Sequence, residues 1–194
     1  MKQNVMIDIE TLSTNTEACI VSIGAVAFDV DGSIIESLED HFYRNITIDS
    51  NLKLGREING DTLRWWFNQD DIAIKALTVA PIITLGNALN ELTDWFSKNA
   101  HPKARVWANG TTFDLAILRD AYSNIHKTPP WHFRAESCMR AIRALGETIG
   151  HHYFEYCTKM GMNKHDALHD AIMQSEYVKH IFNTCSNSVG RDSV

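Results

Sequence analysis

The stretch Asn4-Val5-Met6-Ile7-Asp8-Ile9-Glu10-Thr11-Leu12 decides how this chain is read. Val5 to Ile9 is a strand-like apolar run in which alternate positions turn into carboxylates. Side chains alternate between the faces of a strand, so Asp8 and Glu10 share one face and can reach the same ion. The intervening Met6, Ile7 and Ile9 point to a strand buried on both faces. Two anions in that setting lose hydration and repel each other, which a cation between them relieves. Oxygen-only ligation suits hard cations such as Mg2+ or Mn2+, which keep several waters and accept phosphate oxygens. A solvent-facing acidic pair on an exposed strand is the competing reading, and the apolar neighbours disfavour it.

Outward from this stretch, Ile20 to Val30 reads as a second strand rich in β-branched residues, and Asp31-Gly32 as the hairpin turn after it. Ile34 to Ile48 returns as a third strand, so the first third is an antiparallel meander. Asp61-Thr62 can cap a short helix carrying Trp65, Trp66 and Phe67. Thr84 can cap a longer helix to about Lys98, with Leu85, Leu89, Leu92 and Phe96 at helical spacing. Ala104 to Ala108 reads as a strand, Asn109-Gly110 as a turn, and Thr112 to Tyr122 as a helix with Asp114 in its first turn. Beyond Pro129-Pro130, a brief strand around His132 to Ala135 precedes a helix from about Ser137 to Leu145. The last helix begins near His165 and runs to about Asn183. A meander followed by βα units predicts an α/β, ribonuclease H-like arrangement: a mixed five-stranded sheet, its first three strands antiparallel, flanked by helices. The first strands are joined too closely for the helical crossovers of a doubly wound parallel sheet.

The 194 residues suit one domain over 1–185 with a flexible polar tail over 186–194. No apolar run approaches the ~20 residues needed to span a bilayer, and no membrane role is expected. The first residues have neither a signal peptide's nor a transit peptide's layout, so a cytoplasmic location is expected. Cys19, Cys138, Cys157 and Cys185 lack Cys-x-x-Cys spacing and read as reduced thiols. A net charge of -6 argues against coating a duplex, yet four carboxylates committed to metal would leave about -2. A short nucleic-acid footprint, such as one strand end, stays compatible with that charge.

Asp114 alone reads as an acid favouring a helix N-terminus. His165-Asp166-Ala167-Leu168-His169-Asp170 changes the odds, because a histidine ahead of the helix and an acid one turn inside it can overhang one cleft. Asp8-Ile9-Glu10-Thr11-Leu12, Asn109-Gly110-Thr111-Thr112-Phe113-Asp114 and His165-Asp166-Ala167-Leu168-His169-Asp170-Ala171 together resemble the three motifs of the DEDD (DnaQ-like) 3′-5′ exonuclease superfamily. His-x4-Asp resembles its histidine (DEDDh) branch; the sister branch needs tyrosine where this chain has Asp166. Thr62-Leu63-Arg64-Trp65-Trp66 looks like the group of phage exonuclease A and the related bacterial exoribonuclease domain, often labelled exodeoxyribonuclease VIII.

The resemblance implies a two-metal phosphodiesterase using Mg2+ or Mn2+, with Asp8 bridging the ions, Glu10 and Asp170 completing one site and Asp114 supporting the other. His165 would deprotonate the attacking water, a role suited to a side chain with an ordinary pKa near 6.5. The substrate would be the 3′ end of single-stranded DNA or RNA, the product a nucleoside 5′-monophosphate, and a homodimer is a further expectation. Thr11, Leu12 and Phe113 fall where the family holds the terminal nucleotide, although Leu12 and Phe113 equally suit core packing. Asn109 suits a turn better than a substrate contact. Trp65 and Trp66 point about 100° apart on a helix, so one can pack while the other stacks on bases, with Trp66 the substrate candidate. Arg134, Arg140 and Arg143 approach the third motif, one of them a candidate for phosphate. Glu136-Ser137-Cys138-Met139-Arg140-Ala141 departs from the Asp-x-Arg-Thr-like element of several relatives. An inactive binding module and an internally cutting ribonuclease H-like endonuclease are the alternatives; retained acids and His165 argue against them.

Overall fold

The structure, a computed structural model, describes residues 1–31, 38–69, 74, 82–160 and 165–189. Strand β1 (Lys2–Thr11) is buried from Asn4 onward, and β2 (Ile20–Phe28) is buried throughout. They pair antiparallel, with Asp8 opposite Gly24 and Glu10 opposite Ser22, and the register slips after Glu10. Strand β3 (His41–Ile46) adds antiparallel to β2, completing the expected meander. Beyond β1, β5 (Ala100–Ala108) and β6 (Glu136–Cys138) add in parallel. Among the described residues the sheet has six strands rather than five, because Ile82–Ile83 forms a two-residue strand, β4, parallel to β3 at one edge. Two residues carry no readable periodicity, and only the neighbouring strand turns them into one.

The two faces of β1 have separate fates. Val5, Ile7 and Ile9 join a core with Leu85, Leu89, Leu92 and Phe96 of α3 (Leu85–Asn99) and Leu115, Leu118 and Tyr122 of α4 (Asp114–Asn124). Met6 joins a second core with Trp107, Met139 and residues of α7 (Ala167–Val189), including Ala171, Tyr177 and Val178. Asp8 and Glu10 follow Met6 at period two, which aims them at the α7 side. Arg56 is buried and clamps the β1–β2 connection to α4: it donates to the carbonyls of Thr16 and Ala18 and to Asp120 and Asn124.

Several boundaries differ from expectation. Gly32 and residues 34–37, the expected hairpin turn and start of the third strand, lie outside the described residues. Ile48 begins a short helix, α1 (Ile48–Leu52), instead of ending a strand. Helix α2 (Gly60–Phe67) is capped by Asn59, whose side chain accepts from the amides of Asp61 and Thr62. Residues Phe133–Ala135 form a 3-10 turn, with β6 following them. Helix α5 (Met139–Thr148) is the one expected, whereas α6 (Tyr153–Met160) was not. Helix α7 extends through Val189, so the tail expected from Ser186 starts as helix. Among the described residues, no helix is long and apolar enough to cross a membrane.

Candidate active site

Asp8 and Glu10 are buried on the C-terminal half of β1. Gly24, across from Asp8, lets α7 come close: a Cβ there would lie 2.2 Å from the carbonyl carbon of Ala167. That approach brings the start of α7 over the acids. His165 precedes the helix at φ 65°, and its backbone N–H donates to Asp170 Oδ2 at 3.0 Å. This left-handed residue, uncommon for a side chain other than glycine, turns the chain into the helix with His165 beside Asp170. Side-chain ligand atoms of Glu10, His165 and Asp170 lie within 4.8 Å of one another. Asp114 is the first residue of α4, two positions nearer the helix start than in the expected helix from Thr112, and accepts from the amide of Gly110 at 3.3 Å.

The electrostatics are those of a concentrated anion cluster. Burial, then the charges of Asp114, Asp170 and Glu10, raises the Asp8 carboxyl well above the ordinary range, against a lowering hydrogen bond from Gln174. Burial raises Glu10 likewise, with Asp170, Asp114 and Asp166 adding to it. Burial lifts Asp114 to about 6, resisted by backbone N–H groups and by Arg140. All four expected acids therefore meet although up to 162 positions separate them in sequence, from Asp8 to Asp170. Mutual repulsion, burial and an all-oxygen donor set from these acids fit a hard divalent cation. Asp8, Glu10, Asp114 and Asp170 are the side chains available to hold one.

A cleft of about 800 Å³ contains these acids and His165. Of the expected substrate residues, Asn109 and Phe113 line it. Thr11, Leu12 and Trp66 do not line it. Thr11 is buried, and its carbonyl accepts from Trp66 Nε1 at 2.9 Å. Trp66, 4% exposed, packs with Leu12, Cys19 and Val21, and with Leu12 borders a separate apolar cavity of about 500 Å³. The exposed tryptophan is Trp65, at 44%, whose ring meets His165 edge-on with centroids 4.9 Å apart. The Thr11 hydrogen bond turns Trp66, the expected base contact, inward, with its ring centroid 6.2 Å from that of His165, and leaves Trp65 the more exposed of the two. Truncation of Trp65 to alanine is expected to lower kcat about 2- to 10-fold through loss of this ring contact, read by steady-state kinetics; an unchanged kcat counts against it.

The cleft also holds Arg140, Tyr153, Phe154, Cys157 and Gln174. Arg140 was one of three arginine candidates; its guanidinium lies over Gly110, about 3.0 Å from where a Cβ would be. Tyr153, Phe154 and Cys157 belong to α6, which has no cap or long periodic pattern to announce it. Gln174 had a legible signal: it lies one helical turn after Asp170, on the same face.

Residues 3–182 match the family described as the Rv2179c-like 3′-5′ exoribonuclease domain. The chain belongs to that family. This Rv2179c-like domain is similar to an exodeoxyribonuclease of Enterobacteria phage T4, 28% identical over 132 residues. That alignment covers 63% of this chain and 56% of the phage protein, so it spans about half of the relative's length. Among solved structures, the nuclease domain of 3′hExo, a DEDDh family member bound to rAMP, superposes with a TM-score of 0.57 at 14% identity. The match covers 93% of this chain and 91% of that one. The RNase domain of yeast Pop2 gives 0.53 at 10% identity, covering 92% and 76%. These likenesses place the fold with the ribonuclease H-like DEDDh nucleases, as the three motifs imply.

Proposed function

We propose that this Rv2179c-like domain is a metal-dependent 3′-5′ exonuclease that removes nucleoside 5′-monophosphates from the 3′ end of an unpaired strand, with RNA preferred to DNA. The observation that carries the reading is the gathering of Asp8, Glu10, Asp114 and Asp170 in one buried cluster with His165 beside it. Bound divalent cations, Mg2+ or Mn2+, supply Lewis acidity, a more acidic water and charge neutralisation at the leaving oxygen. Asp8, Glu10, Asp114 and Asp170 would hold them. A ring nitrogen of His165 takes the proton of the attacking water. Ligand atoms of Glu10 and Asp170 lie within 4.8 Å of a ring nitrogen of that base. Asp170 also accepts the backbone N–H of His165, holding that base against the cleft. A water O–P bond forms as the P–O3′ bond breaks, and the departing 3′ oxygen takes a proton from solvent, leaving a 3′-hydroxyl on the shortened strand.

The family's exoribonuclease description supports RNA, and the phage relative's name keeps DNA as the alternative. Asn109 and Phe113 are the proposed substrate contacts within the cleft, and Arg140 its proposed cation for phosphate. Residues 1–185 act as one domain, and two copies associate as a homodimer. Four free thiols suit a reducing compartment such as the cytoplasm.

The test is equimolar competition between matched RNA and DNA oligonucleotides with single-stranded 3′ ends, with and without EDTA. Stepwise release of mononucleotides, abolished by chelation and faster on RNA, is expected. Preferential loss of DNA overturns the sugar assignment alone, whereas cutting of a circular strand overturns the exonuclease reading.

A further inference from the structure

Gln174 is a buried polar side chain that the hydrolytic scheme above does not use. It projects from α7 beside Asp170 and is 4% exposed. Its Nε2 donates to Asp8 Oδ1 at 2.8 Å, while its Oε1 is buried and has no hydrogen-bond partner among the described residues. A buried amide satisfied on one side only is a cost that an apolar residue of the same size would avoid. With Asp8 ionised, as a bound cation would hold it, the carboxylate only accepts, so the NH2 end faces Asp8, as its 2.8 Å contact has it, and the carbonyl faces elsewhere. The unmet carbonyl needs a donor that no described residue provides. Waters held by a hard divalent cation are O–H donors of the required kind.

We propose that Gln174 is the positioning residue for the metal-binding carboxylate of Asp8, fixing the carboxylate through Nε2 and receiving a cation-bound water at Oε1. This rests on the metal-dependent reading above. A carboxylate free to rotate must be ordered when the ion arrives, whereas one already hydrogen-bonded is not, and such supporting contacts are worth about 10- to 100-fold in metal affinity.

The experiment titrates Mn2+ into the full chain at neutral pH, following free Mn2+ by electron paramagnetic resonance, for the wild type, Gln174→Met and Gln174→Leu. Thermal melts without metal report on folding. The Mn2+ Kd is expected to rise about tenfold or more in either variant, while the metal-free melting temperature holds or rises as the unmet carbonyl is removed. A folded variant whose Kd stays within about twofold of the wild type overturns the proposal. Should both variants fail to fold, the side-chain amide resonances of Gln174 in the wild type decide: they should shift on Mg2+ addition, and shifts confined to other residues overturn it. Nucleotide release with an unchanged Kd would sink this inference and leave the exonuclease standing. A Gln174-dependent Kd without nucleotide release would do the reverse.

Discussion

Asp8→Asn is expected to reduce nucleotide release about 10³-fold or more while raising the melting temperature of the metal-free protein. The activity loss follows from removing one of the four carboxylates that would hold the cations, whose charge stabilisation is worth several kcal/mol in the transition state, and each 1.36 kcal/mol is about tenfold in rate. The gain in stability follows from the same side chain. Asp8 is raised by burial and by three neighbouring acids, so its charge is destabilising until a cation arrives. Asparagine keeps the shape and still accepts from Gln174, but removes the repulsion. Each kcal/mol relieved is worth about 2–4 °C in a chain of this size.

The pH dependence tests that reasoning. Asp114 has its carboxyl raised from 3.8 to about 6, so between those values the native state keeps a proton that the unfolded chain has lost. Stability of the metal-free protein is therefore full below about 4 and falls as pH rises through about 6. Asp8 and Glu10, raised in the same direction, carry the decline further. Metal displaces those protons, so stabilisation by Mg2+ or Mn2+ grows across the window. Melting curves over a pH series, with chelator and with metal, should diverge as pH increases, and Asp8→Asn should flatten the metal-free decline. Parallel curves would mean that the cluster is not the cation site.

Gly24→Ala is the second large effect, because one methyl group lands where the backbone of Ala167 already is. The added carbon would be 2.2 Å from the Ala167 carbonyl carbon and 2.3 Å from its oxygen and from the nitrogen of Leu168. Ordinary contact begins near 3.4 Å, so the start of α7 must move by about 1 Å, and backbone cannot yield as a flexible side chain can. His165 and Asp170 move with it, while Asp8 and Glu10 stay on β1. A misplacement of about 1 Å in a reacting constellation can cost about 10²-fold in rate, and overpacking costs about 1–3 kcal/mol of stability. Steady-state kinetics with a thermal melt would measure both. Wild-type kcat in Gly24→Ala would show that the close approach is not what sets the site.

The acids on β1 were legible because a carboxylate inside an apolar, alternating run contradicts its surroundings, and the third motif because a histidine and an acid flank a helix start. The meander and the helix capped by Thr84 were legible for the ordinary reason that period and cap agree. Trp65 and Trp66 show the limit of such reading. Neighbours on one helix differ only in azimuth, and which of them is buried came from a hydrogen bond to Thr11, 55 positions away. Helix α6 stayed hidden because its eight residues are too few to display a repeat and the residue ahead of it, His152, is not a capping type.

Residue type, spacing and the resemblance they carry set the expectations for the chemistry of this protein: which acids could share a cation, which histidine could take a proton, and which exonuclease branch the motifs resemble. These properties are carried by short segments, where covalent neighbours set the face and the register. Tertiary structure decided everything that depends on segments meeting. It placed Gly24 beneath Ala167, turned Trp66 inward and left Trp65 against His165, and laid the Gln174 amide on Asp8 across 166 positions. The physical reason is that close packing and buried hydrogen bonding are satisfied by whole-molecule geometry. A local sequence pattern states what a side chain can do, but not which other side chain will be there to do it with.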